Sequence, residues 1–592
     1  MNAHDTELAL SIPFLDESDS KPTSSFLSRL KDRVASFFST VLSLKNTLYI
    51  LSGPVVAILI WRFLHIDSDS TGNAVPMVAV MSWVFIWWVT EAIPIAVTAL
   101  APLFLLPFLQ IRTATEVSKS YMNDTIFLLI GSFILAAAVE RYDLHKRMAL
   151  KMLVVLGGKR MDPWLLLLGF CMGPAFVSMW IHNTAAAVMM MPVGLGVLQK
   201  AGSTVEYEDS VGTVSGTKSA VKIVSNTAGT KGDAMMTMDD AYDDEDEGSL
   251  TMEGAERRRQ RDKKHVQNFS KAVVLAIGYA ATLGGMSTLT GTGVNLILAG
   301  LYESSFPEAE PITYLQWLMF GLPLAVAMLC FLWLLLCFWF CPRSSVPSIA
   351  RSLHGSHVHE ELASLGPMSF AEIAVLGVFG ALVVLWLTKS IGTNIGGWGD
   401  LFNDYPGNGT VSVLMATTLF IIPNRRRAGD KLMSWSQCKG IPWGIILLLG
   451  GGFALADGMS DSGLSTVISE ELDFLQVAPY VLITPIIGIL TGAMTEFTSN
   501  NSTATIFVSL VAQVATSIDR HPLFLMVPAA VGAQFSYMLP IATPPNAVTF
   551  SSGYVSTLDM VAIGFILKFV GIILLSVFMP TLGAAVFKTN TS

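Results

Sequence analysis

Long apolar runs recur along the chain from Thr47 to Phe587, with only short polar segments between most of them. A helix needs about 20 such residues to cross the hydrocarbon core of a bilayer. Because no water reaches that core, the backbone must satisfy its own hydrogen bonds, which favours helices. Charged residues make up 14% of the chain, against about 25% in soluble domains. The sequence therefore predicts an all-α polytopic membrane protein with roughly ten to twelve spans.

Polar segments divide the chain. Residues 1–44 contain an amphipathic pattern from Phe26 onward, and Arg33 and Lys45 flank the first span. The excess of basic residues near that span predicts a cytosolic N-terminus. Residues 200–267 lose hydrophobic periodicity, carry the acidic run 243–247 and end in a basic stretch, which predicts a disordered cytosolic loop.

The predicted organisation has seven parts. They are a cytosolic N-terminal segment (1–44), the first spans with the start of repeat 1 (45–199), the loop (200–267), the rest of repeat 1 (268–341), a linker (342–368), repeat 2 (369–588) and a C-terminal tail (589–592).

The two halves of the chain repeat each other at three motifs. The matching pairs are Leu129 to Ala136 with Leu449 to Ala456, Ser178 to Asn183 with Thr495 to Asn500, and Gly291 to Asn295 with Ala542 to Asn546. The first two pairs have nearly the same separation in sequence. The separation in sequence within the third pair is shorter by about the length of the loop at 200–267. One insertion in the first half therefore accounts for the difference.

Helix-breaking residues interrupt the apolar runs at three places: Gly284-Gly285, Thr290 to Gly293, and Thr543 to Asn546. Such breaks persist in a membrane only inside protein or beside water. Transporters built from repeats place substrates where broken helices meet near the bilayer midplane. Close helix packing also explains an isolated glycine, but it explains Thr-Pro-Pro-Asn poorly. The breaks therefore indicate a binding site.

Two polar clusters occupy matching positions, at His182-Asn183-Thr184 and at Ser499 to Thr503. An asparagine amide or a serine hydroxyl can donate to a carboxylate or lend oxygen to a hard cation. Neither cluster carries a fixed positive charge, so anion binding would depend on helix N-termini and bound cations. Hydrogen bonding between helices is the alternative interpretation of a single asparagine. Glu496, one helical turn before Asn500, is a further candidate because acids are costly within a membrane.

Other protein classes fit less well. No H-E-x-x-H pattern supports an intramembrane metalloenzyme, so we expect no enzymatic activity and no cofactor beyond coupling ions. The five cysteines lack metal-ligand spacing and are predicted to be free thiols. An ion channel would need a continuous polar path, whereas these clusters occupy two short stretches.

At its motifs the chain resembles the divalent-anion:sodium symporter family, and within it the plant vacuolar dicarboxylate carriers. Three stretches carry the resemblance: Ser178 to Ala185, Gly284 to Asn295 and Thr495 to Asn501. The resemblance implies a homodimer of elevator-type carriers with scaffold and transport domains, two inverted repeats and about eleven spans. It also implies re-entrant hairpins near Thr125 to Ala138 and Pro442 to Asp457.

The resemblance further implies roles for individual residues. The implied substrate contacts are Asn183, Thr184, Asn500, Asn501, Thr543 and Pro544. The implied first sodium site is Ser178, His182, Asn183 and Gly291. The implied second sodium site is Thr495, Ser499, Asn500 and Ala542.

The chain departs from the family at two positions, with His182 where serine is usual and Asn501 where threonine is common. Imidazole is a poor sodium ligand and a good proton acceptor. We therefore hypothesise that protonation of His182 replaces the first sodium ion, or that this cation site is lost; a histidine that only bonds the backbone is the alternative.

The expected substrates are malate, fumarate, succinate and citrate, with coupling to sodium or protons, or exchange. A sulfate carrier and a malate-permeable anion channel are the alternatives. The resemblance implies the vacuolar membrane, with the plasma membrane as the second choice, and membrane lipid as the surroundings. No nucleic-acid partner is expected.

Overall fold

The computed structural model describes residues 47–65, 73–157, 162–199, 252–353, 362–390, 397–425, 430–464, 467, 480–517 and 521–589. Helices dominate these ranges, and the β contact within them is one isolated bridge between Pro423 and Lys431. The prediction of an all-α chain is confirmed. The N-terminal amphipathic pattern and the acidic run of the loop lie outside the described residues.

The first half contains eleven described helices of four residues or more, taken up to residue 340. They are α1 (Thr47–Phe63), α2 (Ala74–Thr90), α3 (Ile95–Phe108), α4 (Ala114–Ser120), α5 (Asp124–Arg141), α6 (Leu144–Gly157), α7 (Pro163–Ser178), α8 (Asn183–Gln199), α9 (Met252–Gly285), α10 (Gly293–Ser305) and α11 (Tyr314–Phe340). The helix α3 is interrupted at residues 99–101.

The second half begins with a short helix. Its helices are α12 (Val346–Leu353), α13 (Phe370–Thr388), α14 (Asn408–Ile421), α15 (Trp443–Asp461), α16 (Tyr480–Met494), α17 (Asn500–Ser517), α18 (Leu523–Gly532), α19 (Pro544–Ser551) and α20 (Thr557–Phe578).

Within the described ranges, four helices are long and apolar enough to cross a membrane alone. A fifth results if α4 and α5, bent by 41° at their junction, form one span. Eight further apolar helices are shorter, at 10–17 residues. Several of these short helices end at the polar motifs, because the motifs divide what would otherwise be continuous spans. The expected total of about eleven spans remains a prediction.

The hairpins predicted near Thr125 to Ala138 and Pro442 to Asp457 are wrong, because α5 and α15 are continuous helices. Their glycines permit close packing instead of turns. A Cβ at Gly131 would lie 2.5 Å from the Ser412 carbonyl carbon, and one at Gly451 would lie 2.6 Å from the Ala99 oxygen. Such small residues let helix backbones approach each other.

Helix–tip–helix units lie elsewhere, in α7–α8 and α16–α17. Their tips are residues 179–182 and 495–499, which are the polar motifs themselves.

The predicted loop at 200–267 also extends too far, because α9 begins at Met252. Residues 252–267 are rich in Glu, Arg, Lys and Gln, which have high helix propensity despite being polar. The linker predicted at 342–368 likewise contains α12. Hydrophobic periodicity misses the start of α9 because its residues are mostly polar, and it misses α12 because that helix has only eight residues.

The buried apolar residues form two clusters. The smaller one joins α2, α3 and α4 to α15, and Trp88, Leu106 and Met459 are fully or almost fully buried in it. The larger cluster contains core residues of α5 to α15, α17, α18 and α20, including Phe170 and Phe453, together with Phe535 just after α18. The two polar tips lie among the elements of the larger cluster.

Candidate functional site

The first polar tip places Asn183 at the start of α8, immediately after the tip residues. The Ser178 hydroxyl, at the end of α7, donates to Asn183 Oδ1 at 2.9 Å. Asn183 is buried, and Gly285 gives it room, since a Cβ on Gly285 would lie 2.0 Å from Asn183 Oδ1. Gly285, the last residue of α9, is therefore needed for the asparagine to reach this position.

The second tip repeats this arrangement around Asn500. The Thr495 hydroxyl donates to Asn500 Oδ1 at 2.8 Å, as Ser178 does to Asn183. Ser536 adds a second hydroxyl to the same oxygen at 2.8 Å. Sequence reasoning missed Ser536, although it occupies the position in the second half that matches Gly285. Its place beside the break before Thr543 was the signal that could have found it.

The two helix breaks share the same hydrogen bonds. Asn295 Nδ2 donates to the Thr288 carbonyl at 2.7 Å and to the Gly285 carbonyl at 3.3 Å. In the second half, Asn546 Nδ2 donates to the Leu539 and Ser536 carbonyls, both at 3.0 Å. These acceptors occupy matching positions. Each asparagine thus satisfies carbonyls that the break removes from a helix.

A threonine caps the helix that follows each break. Thr292 Oγ1 accepts from the Val294 N–H, and Thr543 Oγ1 accepts from the Asn546 N–H, both at 3.4 Å. The two threonines have almost the same extended backbone, with φ of −143°. The pseudo-symmetry read from the sequence therefore extends to individual hydrogen bonds.

Elements from the two halves meet at the site. A Cβ on Gly293, the first residue of α10, would lie 2.9 Å from Asn501 Oδ1 near the start of α17. Gln534 Nε2 donates to Asn295 Oδ1 at 2.9 Å, and both residues are buried. The N-terminus of α10 in the first half thus adjoins the second-half tip.

His182 and Ser499 both cap the second helix of their unit. The Thr184 N–H donates to His182 Nδ1 at 3.4 Å, and the Ser502 N–H donates to the Ser499 hydroxyl at 3.1 Å. The imidazole therefore makes the same capping contact in the first unit as the Ser499 hydroxyl makes in the second. A proton on Nδ1 would remove this acceptor.

The other expected site residues take the following places. Gly291 approaches the Gly285 carbonyl so closely that a Cβ would lie 2.4 Å from it. The Ala542 N–H donates to the Leu539 carbonyl at 3.2 Å. Pro544 is the first residue of α19 and is exposed. Hydrogen bonds thus join Ser178 to Asn183 and Thr495 to Asn500. The remaining predicted residues lie at or just before the first residues of the neighbouring helices: Thr184, Ala542, Thr543 and Pro544.

Glu496 makes the two halves unequal. Its buried carboxylate accepts hydrogen bonds from the N–H groups of Tyr537, Met538 and Leu539 and pairs with Lys568. Lys568 also donates to the Gly492 carbonyl at 2.7 Å. The matching residue in the first half is Met179, whose carbonyl accepts from the Thr288 hydroxyl. A buried ion pair thus stabilises the second helix break, whereas a hydrogen bond between uncharged groups stabilises the first.

The amides define what the site can bind. Because each Oδ1 faces a hydroxyl, Nδ2 is the side of Asn183 and Asn500 that can donate. No residue in the described ranges accepts a hydrogen bond from either group. Helices α8, α10, α17 and α19 all begin at these motifs, so their partial positive ends add to the attraction for an anion.

Comparison with known proteins gives an independent result. The model of the sodium:sulfate symporter transmembrane region matches residues 45–588. The rat Na(+)/citrate cotransporter is 35% identical over 537 residues, covering 85% of this chain and 90% of that protein. The human Na(+)/dicarboxylate cotransporter 3 is 34% identical, covering 86% and 87%. The sodium-dependent dicarboxylate transporter SdcS of Staphylococcus saprophyticus is 34% identical, covering 90% and 92%.

Proposed function

The chain belongs to the sodium:sulfate symporter family, and from this premise we propose that it is a sodium-coupled secondary transporter of small dicarboxylates. It is a membrane transporter and not an enzyme. The relatives named for citrate and dicarboxylate transport support the substrate class.

One observation carries the proposal: two asparagine amides at matching positions each have Oδ1 bonded to a hydroxyl, which leaves Nδ2 as a donor. A dicarboxylate has one acceptor group at each end. The site offers one amide from each repeat, with Asn501 and Thr184 next to them. Hydrogen bonds to a charged acceptor contribute about 1.5–3 kcal/mol each, so loss of either amide should weaken binding roughly tenfold to a hundredfold.

The Oδ1 atoms of the two amides, and the hydroxyl oxygens bonded to them, can serve as ligands for cations. Ser178 and Asn183 in one half, with Thr495, Asn500 and Ser536 in the other, bring hydroxyl and amide oxygens within 2.9 Å of each other. Hard cations bind oxygen ligands, and amide oxygens are among them. A sodium ion bound there would neutralise part of the dianion's charge, which couples the two binding events.

The proposal extends to finer points that rest on the resemblance of the motifs. Malate is the preferred substrate, and transport follows an elevator motion of a domain that contains both tips, within a homodimer. The protein resides in the vacuolar membrane with a cytosolic N-terminus. Protonation of His182 partly replaces sodium at the first cation site.

Uptake by purified protein in proteoliposomes tests the function. Labelled malate should enter faster with external sodium than with choline, and internal malate should accelerate entry because a carrier exchanges its substrate. A channel would show no such trans-stimulation. Uptake that is independent of both sodium and pH would contradict coupled transport.

Sulfate is the second candidate, because the family model that matches residues 45–588 is named for sodium:sulfate symport. The same donors could bind a compact tetrahedral dianion. Competition decides between them: excess succinate, fumarate and citrate should reduce labelled malate uptake more than excess sulfate does. The opposite order would favour the sulfate carrier.

A further inference from the structure

Helix α11 packs against the first helix break, as α20 packs against the second. A Cβ on Gly321 of α11 would lie 2.8 Å from the Met286 oxygen, and one on Gly564 of α20 would lie closer still to the Tyr537 oxygen. Met286 and Tyr537 occupy matching positions in the two breaks. The two helices are therefore equivalent supports, which makes a contact that only one of them provides informative.

Two aromatic side chains of α11 donate hydrogen bonds to the first break. Trp317 Nε1 donates to the Met286 carbonyl at 3.1 Å, and the Tyr314 hydroxyl donates to Thr290 Oγ1. Trp317 is fully buried, and Tyr314 is 4% exposed. Helix α11 thus holds both ends of the segment at residues 286–290.

The hydroxyl contact of Tyr314 cannot recur in the second half. The residue that matches Thr290 is Ile541, whose side chain accepts no hydrogen bond and is 82% exposed. Tyr314 also stacks on Trp386 of α13, with ring centroids 4.4 Å apart and an interplanar angle of 14°. Because this stack restrains the ring, the hydroxyl holds Thr290 from a rigid support.

Thr290 directly precedes Gly291, which lies on the oxygen side of the first amide. A Cβ on Gly291 would come close to the Gly285 carbonyl, and one on Gly285 would lie nearer to Asn183 Oδ1 than to Nδ2. Nδ2, the donor that we assign to the dicarboxylate, is the other end of the same amide. A shift of Thr290 would therefore disturb the oxygen atoms available to a cation before it disturbs the donor for the substrate.

We propose that Tyr314 is a positioning residue for sodium binding at the first helix break. Its hydroxyl fixes Thr290, and thereby the backbone of Gly291 beside the Asn183 amide oxygen, in the arrangement that the cation needs. This inference rests on the proposed function, because it requires sodium to bind on the oxygen side of Asn183. It assigns part of the sodium affinity to a side chain that lies outside the repeated motifs.

The Tyr314→Phe variant tests the inference, because it removes the hydroxyl and keeps the ring that stacks on Trp386. Loss of one hydrogen bond between uncharged groups should raise the sodium concentration for half-maximal effect about threefold to tenfold. A sodium titration of thermal unfolding in detergent measures this midpoint without transport. Uptake in proteoliposomes should show the same increase, whereas KM for succinate and the maximal rate at saturating sodium should stay as in the wild type. A folding defect alone would not separate these quantities.

A double-mutant cycle supplies the matched variants. Thr290→Val replaces the accepting hydroxyl by a methyl group and should raise the same sodium midpoint. The double variant Tyr314→Phe with Thr290→Val should bind sodium no more weakly than the weaker single variant, because both substitutions remove the same bond. Tyr302→Phe removes the hydroxyl of another buried tyrosine, near the far end of α10, and should leave the midpoint unchanged.

Three results would overturn this inference and leave the proposed function intact. They are a sodium midpoint that neither single variant changes, additive effects in the double variant, and a raised KM for succinate at saturating sodium in Tyr314→Phe. The last result would place Tyr314 on the substrate side. A wild type whose unfolding and uptake are both independent of sodium would refute the proposed function together with this inference.

Discussion

The Lys568→Met substitution should destabilise the protein strongly, because it leaves the Glu496 carboxylate buried without its counter-ion. Glu496 is 3% exposed and Lys568 is 9% exposed, so solvent cannot compensate for the missing charge. Removing one partner from a buried pair costs about 3–5 kcal/mol. The three backbone N–H groups from Tyr537 to Leu539 remain as donors to the carboxylate, which places the expected loss near the lower end of that range.

The double variant Glu496→Gln with Lys568→Met is the matched control. It removes both charges, and the single glutamine Oε1 still accepts from the Tyr537 and Met538 N–H groups, whereas Nε2 replaces the oxygen that accepts from the Leu539 N–H. Replacing a buried pair by neutral groups is often nearly neutral for stability. The double variant should therefore recover more than half of the stability that Lys568→Met loses.

Thermal and denaturant unfolding in detergent, with uptake in proteoliposomes, measure these effects. Because the ion pair holds the break before Thr543, Lys568→Met should also raise KM for the dicarboxylate. If Lys568→Met unfolds within about 1 kcal/mol of the wild type, or if the double variant is less stable than the single one, the ion pair does not hold the break as described.

Three further substitutions test other contacts. Gly285→Ala should abolish uptake, because the new Cβ would lie 2.0 Å from Asn183 Oδ1. The control Gly440→Ala, whose new Cβ meets no atom within 4 Å, should transport normally. Normal uptake by Gly285→Ala would contradict the placement of Asn183. Asn546→Ala leaves the Ser536 and Leu539 carbonyls without their donor and should lower the free energy of unfolding by about 1–3 kcal/mol; an unchanged unfolding midpoint would show that water replaces the amide. His182→Ser keeps a capping oxygen beside the Thr184 N–H and should make uptake more dependent on sodium and less on pH; if both dependences stay as in the wild type, His182 has no part in coupling.

The sequence was sufficient for the membrane class, which depends on composition, and for the repeat, which depends on motifs that recur along the chain. Matching motifs at Ser178 to Asn183 and Thr495 to Asn500 predicted equivalent positions, and the structure shows equivalent hydrogen bonds there. The pattern of Thr-Gly-Thr-Gly and Thr-Pro-Pro-Asn also predicted the breaks correctly, since few residues other than glycine and proline interrupt a helix.

The location of the hairpins could not be predicted from glycine content. Gly131 and Gly451 serve contacts with Ser412 and Ala99, which are distant in sequence. A glycine that permits close packing and a glycine that permits a turn are identical in a sequence. Only the neighbouring helix distinguishes them.

The partners of buried polar groups could not be read from the sequence either. Glu496 was a candidate because of its cost within a membrane, but its counter-ion Lys568 lies 72 residues later, inside α20. Ser536 follows a stretch of apolar helix and carries no motif of its own. Its role depends on a distance to Asn500 that arises only when α17 and the residues after α18 pack together.

Equilibrium binding of labelled succinate to the purified protein, with sodium present, tests the central claim that Asn183 and Asn500 serve a single site. The account predicts one succinate per chain, and predicts that Asn183→Ala and Asn500→Ala each weaken that binding roughly tenfold or more. Two succinate molecules per chain, with each substitution removing only one of them, would show two independent sites and would contradict the account.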